Sequence, residues 1–173
     1  NIAPLIDLCN ILEKKIEDCN QKKLLEEIEI PLSNVLAKME NLGFAVDKKG
    51  IENFGKMLKE NIENLKSEIY NSVGREFNIN SPKQLGVALF EDLALPCKKK
   101  TKSGYSTSAD VLESLKNQHP VVSMVLQYRT LSKLNSTYCE GLLKVIGDDG
   151  RIHSSFNQTE TRTGRISSTE PNL

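Results

Sequence analysis

Tryptophan is absent and Phe, Tyr and Trp together make up only 5% of the 173 residues. That leaves little material for the aromatic platforms on which single-stranded bases stack. The four cysteines (Cys9, Cys19, Cys97 and Cys139) are scattered, with no Cys-x-x-Cys pair. They read as reduced thiols of a cytosolic protein rather than a disulfide framework or zinc site. No apolar run approaches the roughly 18 residues of a membrane span, and the N-terminus shows no signal-peptide pattern. Net charge is zero, with 23 basic against 23 acidic residues, which excludes a strongly basic DNA-coating protein and an acidic disordered tail. Most catalytic signatures are also missing: no Gly-rich phosphate loop opens a helix, and there is no Gly-x-Ser-x-Gly or His-Glu-x-x-His. His119 and His153 are isolated and read as structural or solvated side chains. Asp148 and Asp149 sit between glycines, where carboxylates serve turn geometry first.

What is present is uneven. Residues 1–30 carry four Lys against seven acids, whereas residues 74–135 carry nine Lys and Arg against five acids. A basic surplus confined to the middle of the chain suits a local anionic partner. Helical periodicity runs through the first 146 residues. Ile28, Leu32, Val35, Leu36, Met39 and Leu42 recur at 3/4 spacing, with Gly43 as the stop. Asp47 is the expected N-cap of a helix over 47–73, with the stripe Ile51, Phe54, Leu58, Ile62, Leu65 and Ile69 and Gly74 at its end. Ser81-Pro82-Lys83-Gln84 reads as a capping box opening a short helix through Leu93. A lysine-rich loop, Pro96 to Ser106, precedes a helix over about 108–116. The stretch 121–146 predicts a long helix with Met124, Tyr128, Leu131, Tyr138, Leu142 and Val145 on one face, paired with an antiparallel partner. Gly147 to Gly150 breaks it, and 151–159 and 163–168 read as strands. The fold class expected is mainly α with a small β element.

Two segments carry binding chemistry. Lys98 to Gly104 is either a phosphate-contacting loop or a solvated one. Thr161 to Leu173 holds two arginines and five hydroxyls, apt for phosphate, sugar and groove contacts, or equally a polar hairpin. Three readings stand open: a nucleic-acid-binding helical module, a helical scaffold for protein partners, or a piece of a nucleic-acid enzyme.

The order of motifs favours the last. Phe156-Asn157-Gln158-Thr159 followed by Thr163-Gly164-Arg165-Ile166-Ser167-Ser168-Thr169-Glu170-Pro171-Asn172-Leu173 resembles the segment near the start of the palm in family A DNA polymerases, the bacterial DNA polymerase I group. Upstream, Pro31 to Asp47, Phe77 to Leu85, Lys99 to Thr107 and Tyr128 to Tyr138 resemble further pieces of that family in the same order, covering about residues 26–173.

The resemblance implies three regions: a tail of an exonuclease-like domain or linker helix over 1–30, a helical region containing the thumb over 31–146, and the start of the palm over 147–173. Long antiparallel thumb helices followed by a palm β-hairpin would be a fragment of the polymerase right-hand fold. It implies DNA contacts at Asn78, Ser81, Lys83, Lys99, Lys100, Lys102, Ser106, Thr107, Arg129, Lys133, Ser136 and Thr137. On the palm side the implied contacts are Gln158, Ser167, Ser168, Thr169 and Asn172, with Arg165 reaching the minor groove near the primer terminus. The partner implied is primer–template duplex DNA, held by a monomeric, cytoplasmic, nucleoid-associated enzyme. Catalytic residues and the aspartates that bind Mg2+ would lie beyond Leu173, so that Mg2+ and deoxynucleoside triphosphates belong to the full-length enzyme and this chain alone would be inactive.

Overall fold

The computed structural model describes residues 3–97, 100–101 and 104–172. They form two compact units, one of Asp47–Lys144 and one joining the chain up to Val46 with the chain from Val145 onward. Among the described residues no helix is long and apolar enough to cross a membrane.

The helical unit is built on α4 (Lys48–Val73), whose ends follow the sequence signals. The Asp47 carboxylate accepts from the Gly50 N–H at 2.9 Å, and Gly74, in the left-handed region, donates its N–H to the Tyr70 carbonyl at 2.8 Å. Next come α5 (Pro82–Val87), a π-helical turn (Ala88–Asp92), α6 (Ala109–Glu113) and α7 (Pro120–Lys133). The long helix expected over 121–146 is α7 continued by a π-helical segment, Leu134–Glu140, and α8 (Gly141–Leu143). His119 starts it: its Nδ1 accepts from the Val121 N–H at 3.2 Å. That resolves this histidine as a helix cap.

α4 and α7 pack on each other and run antiparallel. Gly55, near the start of α4, faces Asn135 and Cys139, and Lys59 pairs with Glu140 at 2.9 Å. Towards the other end, Lys66, Tyr70 and Tyr128 line one groove. The pairing is as the periodicity predicts, but the stripes are corrected. Gly55, not Phe54, completes the series Ile51, Leu58, Ile62, Leu65 and Ile69; Phe54 is 44% exposed and Leu58 3%. On the opposing helix, Val121, Val125, Tyr128, Asn135 and Cys139 are buried, whereas Tyr138 and Val145 are exposed. The reason is spatial: a Cβ on Gly55 would stand 3.4 Å from Cys139 Cβ. Helices this close exclude bulk, so seam positions are filled by small residues that a hydrophobicity pattern does not register.

The core of this unit closes around Ile69, Leu85, Leu89, Leu112 and Val125, which bring α4 to α7 together. Two short strands, β2 (Lys100–Thr101) and β3 (Gly104–Tyr105), pair antiparallel beside it.

The second unit holds α1 (Ala3–Asp18), α2 (Lys22–Leu24), a π-helical turn (Leu25–Glu29) and α3 (Ile30–Leu42). Leu36 is the one residue of α3 counted as buried; Ile28, Val35, Met39 and Leu42 of the expected stripe are exposed. The strands also differ from expectation. Arg151–Ile152 forms β4, which pairs with β1 (Phe44–Ala45), while β5 (Ser155–Asn157) pairs antiparallel with β6 (Ser167–Thr169). The strand expected over 151–159 is thus interrupted at His153-Ser154, where the Ser154 hydroxyl turns to the carbonyls of Thr169 and Pro171 (3.1 and 2.7 Å). β1–β4 pairing draws residues 31–46 to the C-terminal segment, whereas the sequence reading grouped them with the following helices.

The corrected seam separates two otherwise similar substitutions. Leu58→Ala empties a packed site and is expected to cost about 2–4 kcal/mol, while Phe54→Ala costs less than about 1 kcal/mol. Urea unfolding of the two variants measures both; equal losses would restore the stripe through Phe54.

Candidate nucleic-acid interface

In the helical unit, the expected contact residues fall into three places. The first is the turn before α5. Asn78 Oδ1 accepts from the Asn80 N–H at 3.0 Å, and the Ser81 hydroxyl accepts from the Gln84 N–H at 3.4 Å. Gln84 reaches back, as in a capping box, but to the Asn78 N–H (2.8 Å) rather than to that of Ser81. Asn78 and Lys83 are exposed and Ser81 half-buried.

The second place is the segment after β3. Thr107 is buried, and Ser106 contacts Ser108 at 3.4 Å. Arg129 of α7 donates from Nη1 to the Thr107 carbonyl and from Nη2 to its hydroxyl, the latter at 3.2 Å. Partial burial pulls the Arg129 guanidinium below its ordinary value. These two expected DNA-contacting side chains therefore engage each other. Its neighbour Tyr128 contacts the Asn80 side chain at 3.4 Å, so consecutive residues of α7 tether both candidate loops.

The third place is the end of α7 and the turn beyond it, where Lys133, Ser136 and Thr137 are exposed and Ser136 donates to the Lys133 carbonyl at 3.4 Å. Lys100 lies on the backbone of β2; Lys99 and Lys102 lie outside the described residues.

In the second unit, the β5–β6 hairpin and the loop between its strands carry the remaining set. Arg165, Thr169 and Asn172 are exposed, and Ser167 and Ser168 half-buried. The Thr161 hydroxyl donates to the Arg165 carbonyl. Asn157 Nδ2 donates to the Thr169 hydroxyl at 3.3 Å. Gln158 is turned inward, donating to the Glu29 carboxylate at 2.8 Å and to its carbonyl at 3.1 Å. What the hairpin displays is a guanidinium among hydroxyls and amides, the donor set suited to phosphate, sugar and minor-groove acceptors.

Sequence reasoning missed the residues that seat this hairpin. Phe156 donates its N–H to Glu40 Oε1 at 2.6 Å, Arg151 donates to the Leu42 and Gly43 carbonyls at 2.7 and 3.1 Å, and His153 lies between the Glu40 carbonyl and Asp149. Most of these partners are more than 100 positions apart, beyond any local pattern. Among the described residues no group of three or more His, Cys, Asp or Glu side chains could hold a metal ion.

Comparison with known proteins places the chain in a family. The family described as DNA polymerase family A matches residues 48–173. DNA polymerase I of Bacillus caldotenax is 57% identical over 155 residues, covering 88% of this chain and 18% of that protein. DNA polymerase I of Bacillus subtilis is 50% identical over 163 residues, covering 94% and 18% respectively. Among solved structures, the polymerase domain of Pol1 from M. smegmatis, in complex with DNA primer-template and dNTP, matches with a TM-score of 0.86 and 40% identity over 97% of this chain and 30% of that one. The chain thus spans less than a fifth of the length of these curated relatives, and by its match over residues 48–173 it belongs to DNA polymerase family A.

Proposed function

We propose that this chain is the thumb and the first piece of palm of a bacterial DNA-directed DNA polymerase of the DNA polymerase I type, and that it grips primer–template duplex during template-directed synthesis in replication and repair. The observation that supports this most is the β5–β6 hairpin, which presents Arg165 and its hydroxyls in a chain whose solved relative is a polymerase domain on primer–template. Asn78, Ser81, Lys83, Ser106, Lys133, Ser136 and Thr137 act as phosphate-side contacts, together with the lysines at 99, 100 and 102. Such contacts position duplex without reading its sequence. Arg129 and Thr107 serve the same surface by holding its loop. Ser167, Ser168, Thr169 and Asn172 line the backbone next to Arg165, whose guanidinium donates into the minor groove, while Gln158 serves the same surface by tying the hairpin to Glu29. Acceptors there are nearly alike for every base pair, so one arginine tolerates any sequence. Mg2+ and the incoming nucleotide are held by parts of the full-length polymerase outside this chain, which works as a monomer in the cytoplasm, at the nucleoid.

Two predictions separate the roles. In the full-length polymerase, changing Lys99, Lys100 and Lys102 together to Ala should weaken duplex binding equally for all sequences, and should reduce the salt slope by up to about 1 per lost phosphate contact. A salt titration of equilibrium binding reads this; an unchanged slope removes the lysines from the phosphate surface.

Arg165→Ala should instead raise the barrier to single-turnover extension by about 1–3 kcal/mol, more than it weakens duplex binding. Binding loss alone, equal to that of the lysine variant, would make Arg165 another phosphate anchor.

A further inference from the structure

The C-terminal end of α3 meets two side chains of the chain segment more than 100 residues later. Arg151 donates to the Leu42 and Gly43 carbonyls, and His153 Nδ1 stands 2.7 Å from the Glu40 carbonyl while its Nε2 stands 3.0 Å from Asp149 Oδ2. A carbonyl can only accept, so Nδ1 carries a hydrogen. A carboxylate can likewise only accept, so a neutral ring would aim its Nε2 lone pair at a negative charge. The geometry is therefore satisfied by the imidazolium alone. A positive charge is also favoured at a helix C-terminus, where the last carbonyls of α3 lack intrahelical donors. Space for the ring is cut to fit: Gly43 is buried with φ +62°, and a Cβ there would stand 2.8 Å from His153 Cε1.

The same glutamate that accepts from His153 through its carbonyl accepts, through its carboxylate, from the Phe156 N–H at 2.6 Å. Glu40 thus holds both ends of the link between β4 and the β5–β6 hairpin.

We propose that His153, as an imidazolium clasped between Glu40 and Asp149, is a positioning residue that latches the β5–β6 hairpin onto α3 and releases it on deprotonation. The assignment rests on the reading of that hairpin as the carrier of Arg165 in duplex binding. The charged groups acting on the ring are Asp149 and Arg151, the first favouring its charge and the second opposing it; the Glu40 carbonyl contributes most. Together they hold the His153 pKa above its ordinary value, while the hydrogen bond from His153 holds the Asp149 carboxyl below its own. The histidine's contribution is complete below about pH 6.5 and is lost as pH rises through its raised value. Asp149 contributes above about pH 4 and fails only as pH falls through its lowered value. The latch is closed on the acidic side of the raised histidine value and opens above it.

Hydrogen exchange of the peptide spanning residues 151–158, in the full-length polymerase between pH 6.5 and 9 and corrected for the intrinsic rate, tests the latch directly. Protection in the unaltered protein should fall as pH rises. His153→Gln should lower protection about tenfold at neutral pH, the loss of one charge-assisted hydrogen bond, and should abolish the pH dependence. Asp149→Asn should shift the loss of protection to lower pH. If His153→Gln leaves both the protection and its pH dependence unaltered, the latch is overturned. Single-turnover extension run beside it, with Arg165→Ala as reference, separates the two claims. His153→Gln should flatten the alkaline fall in extension rate. An Arg165→Ala enzyme that extends normally refutes the hairpin's role in duplex binding, whereas the exchange data still decide the latch. Slow extension by Arg165→Ala with an unaltered pH profile in His153→Gln refutes the latch alone.

Discussion

Two helices can approach closely only where neither projects bulk, and at the crossing of α4 with the segment after α7 that condition is met by Gly55 against Cys139 and Asn135. From this contact the rest of the helical unit follows. It brings Lys59 to Glu140 and sets Leu58 and Ile69 into the core. The charge of Lys59 and the Asn135 amide hold the Glu140 carboxyl below its ordinary value, and burial pushes the Cys139 thiol up. Cys139 is consequently a packing residue with an inert thiol.

The pairing also orients α7 so that successive side chains leave it towards different loops, Tyr128 to Asn80 and Arg129 to Thr107. A surface meant to follow a phosphate backbone needs loops whose donors stay at fixed spacing, because ordering them on binding would consume affinity. On the function proposed above, tethering both loops to one helix meets that need. It also accounts for the burial of Arg129, a residue that would be a poor phosphate ligand while its fork is engaged with Thr107.

The β-rich end is organised by different physics. Its strands are two or three residues long, too short for pairing alone to hold them. Stability there comes from donors delivered to the exposed carbonyls of α3 and from the Glu40 carboxylate, which takes the Phe156 N–H. Gln158 adds a tie to Glu29 at the other end of the same helix. The hairpin can then present Arg165 outward while its base is anchored at several points. On the function proposed above, this division between tied residues and displayed ones suits a groove-contacting element.

Local chemistry was legible from the amino-acid sequence. Asp47, Ser81, Gly43 and Gly74 mark helix ends because capping depends on one side chain or one φ value and its nearest neighbours. The pairing of α4 with α7 followed from apolar periodicity, and the family from the ordered motifs ending in Thr163 to Leu173. Only the tertiary structure decided the phase of the helical seam, since Gly55 and Asn135 give no hydrophobic signal. The pairing of β1 with β4, the engagement of Arg129 with Thr107 and the seat of His153 were likewise settled by the fold. Each joins groups 22 to 113 residues apart, and many of their partners are backbone carbonyls that any sequence supplies. Sequence by itself determines what can be satisfied within a turn or two of chain; partners that every residue carries are chosen only when the fold brings them within reach.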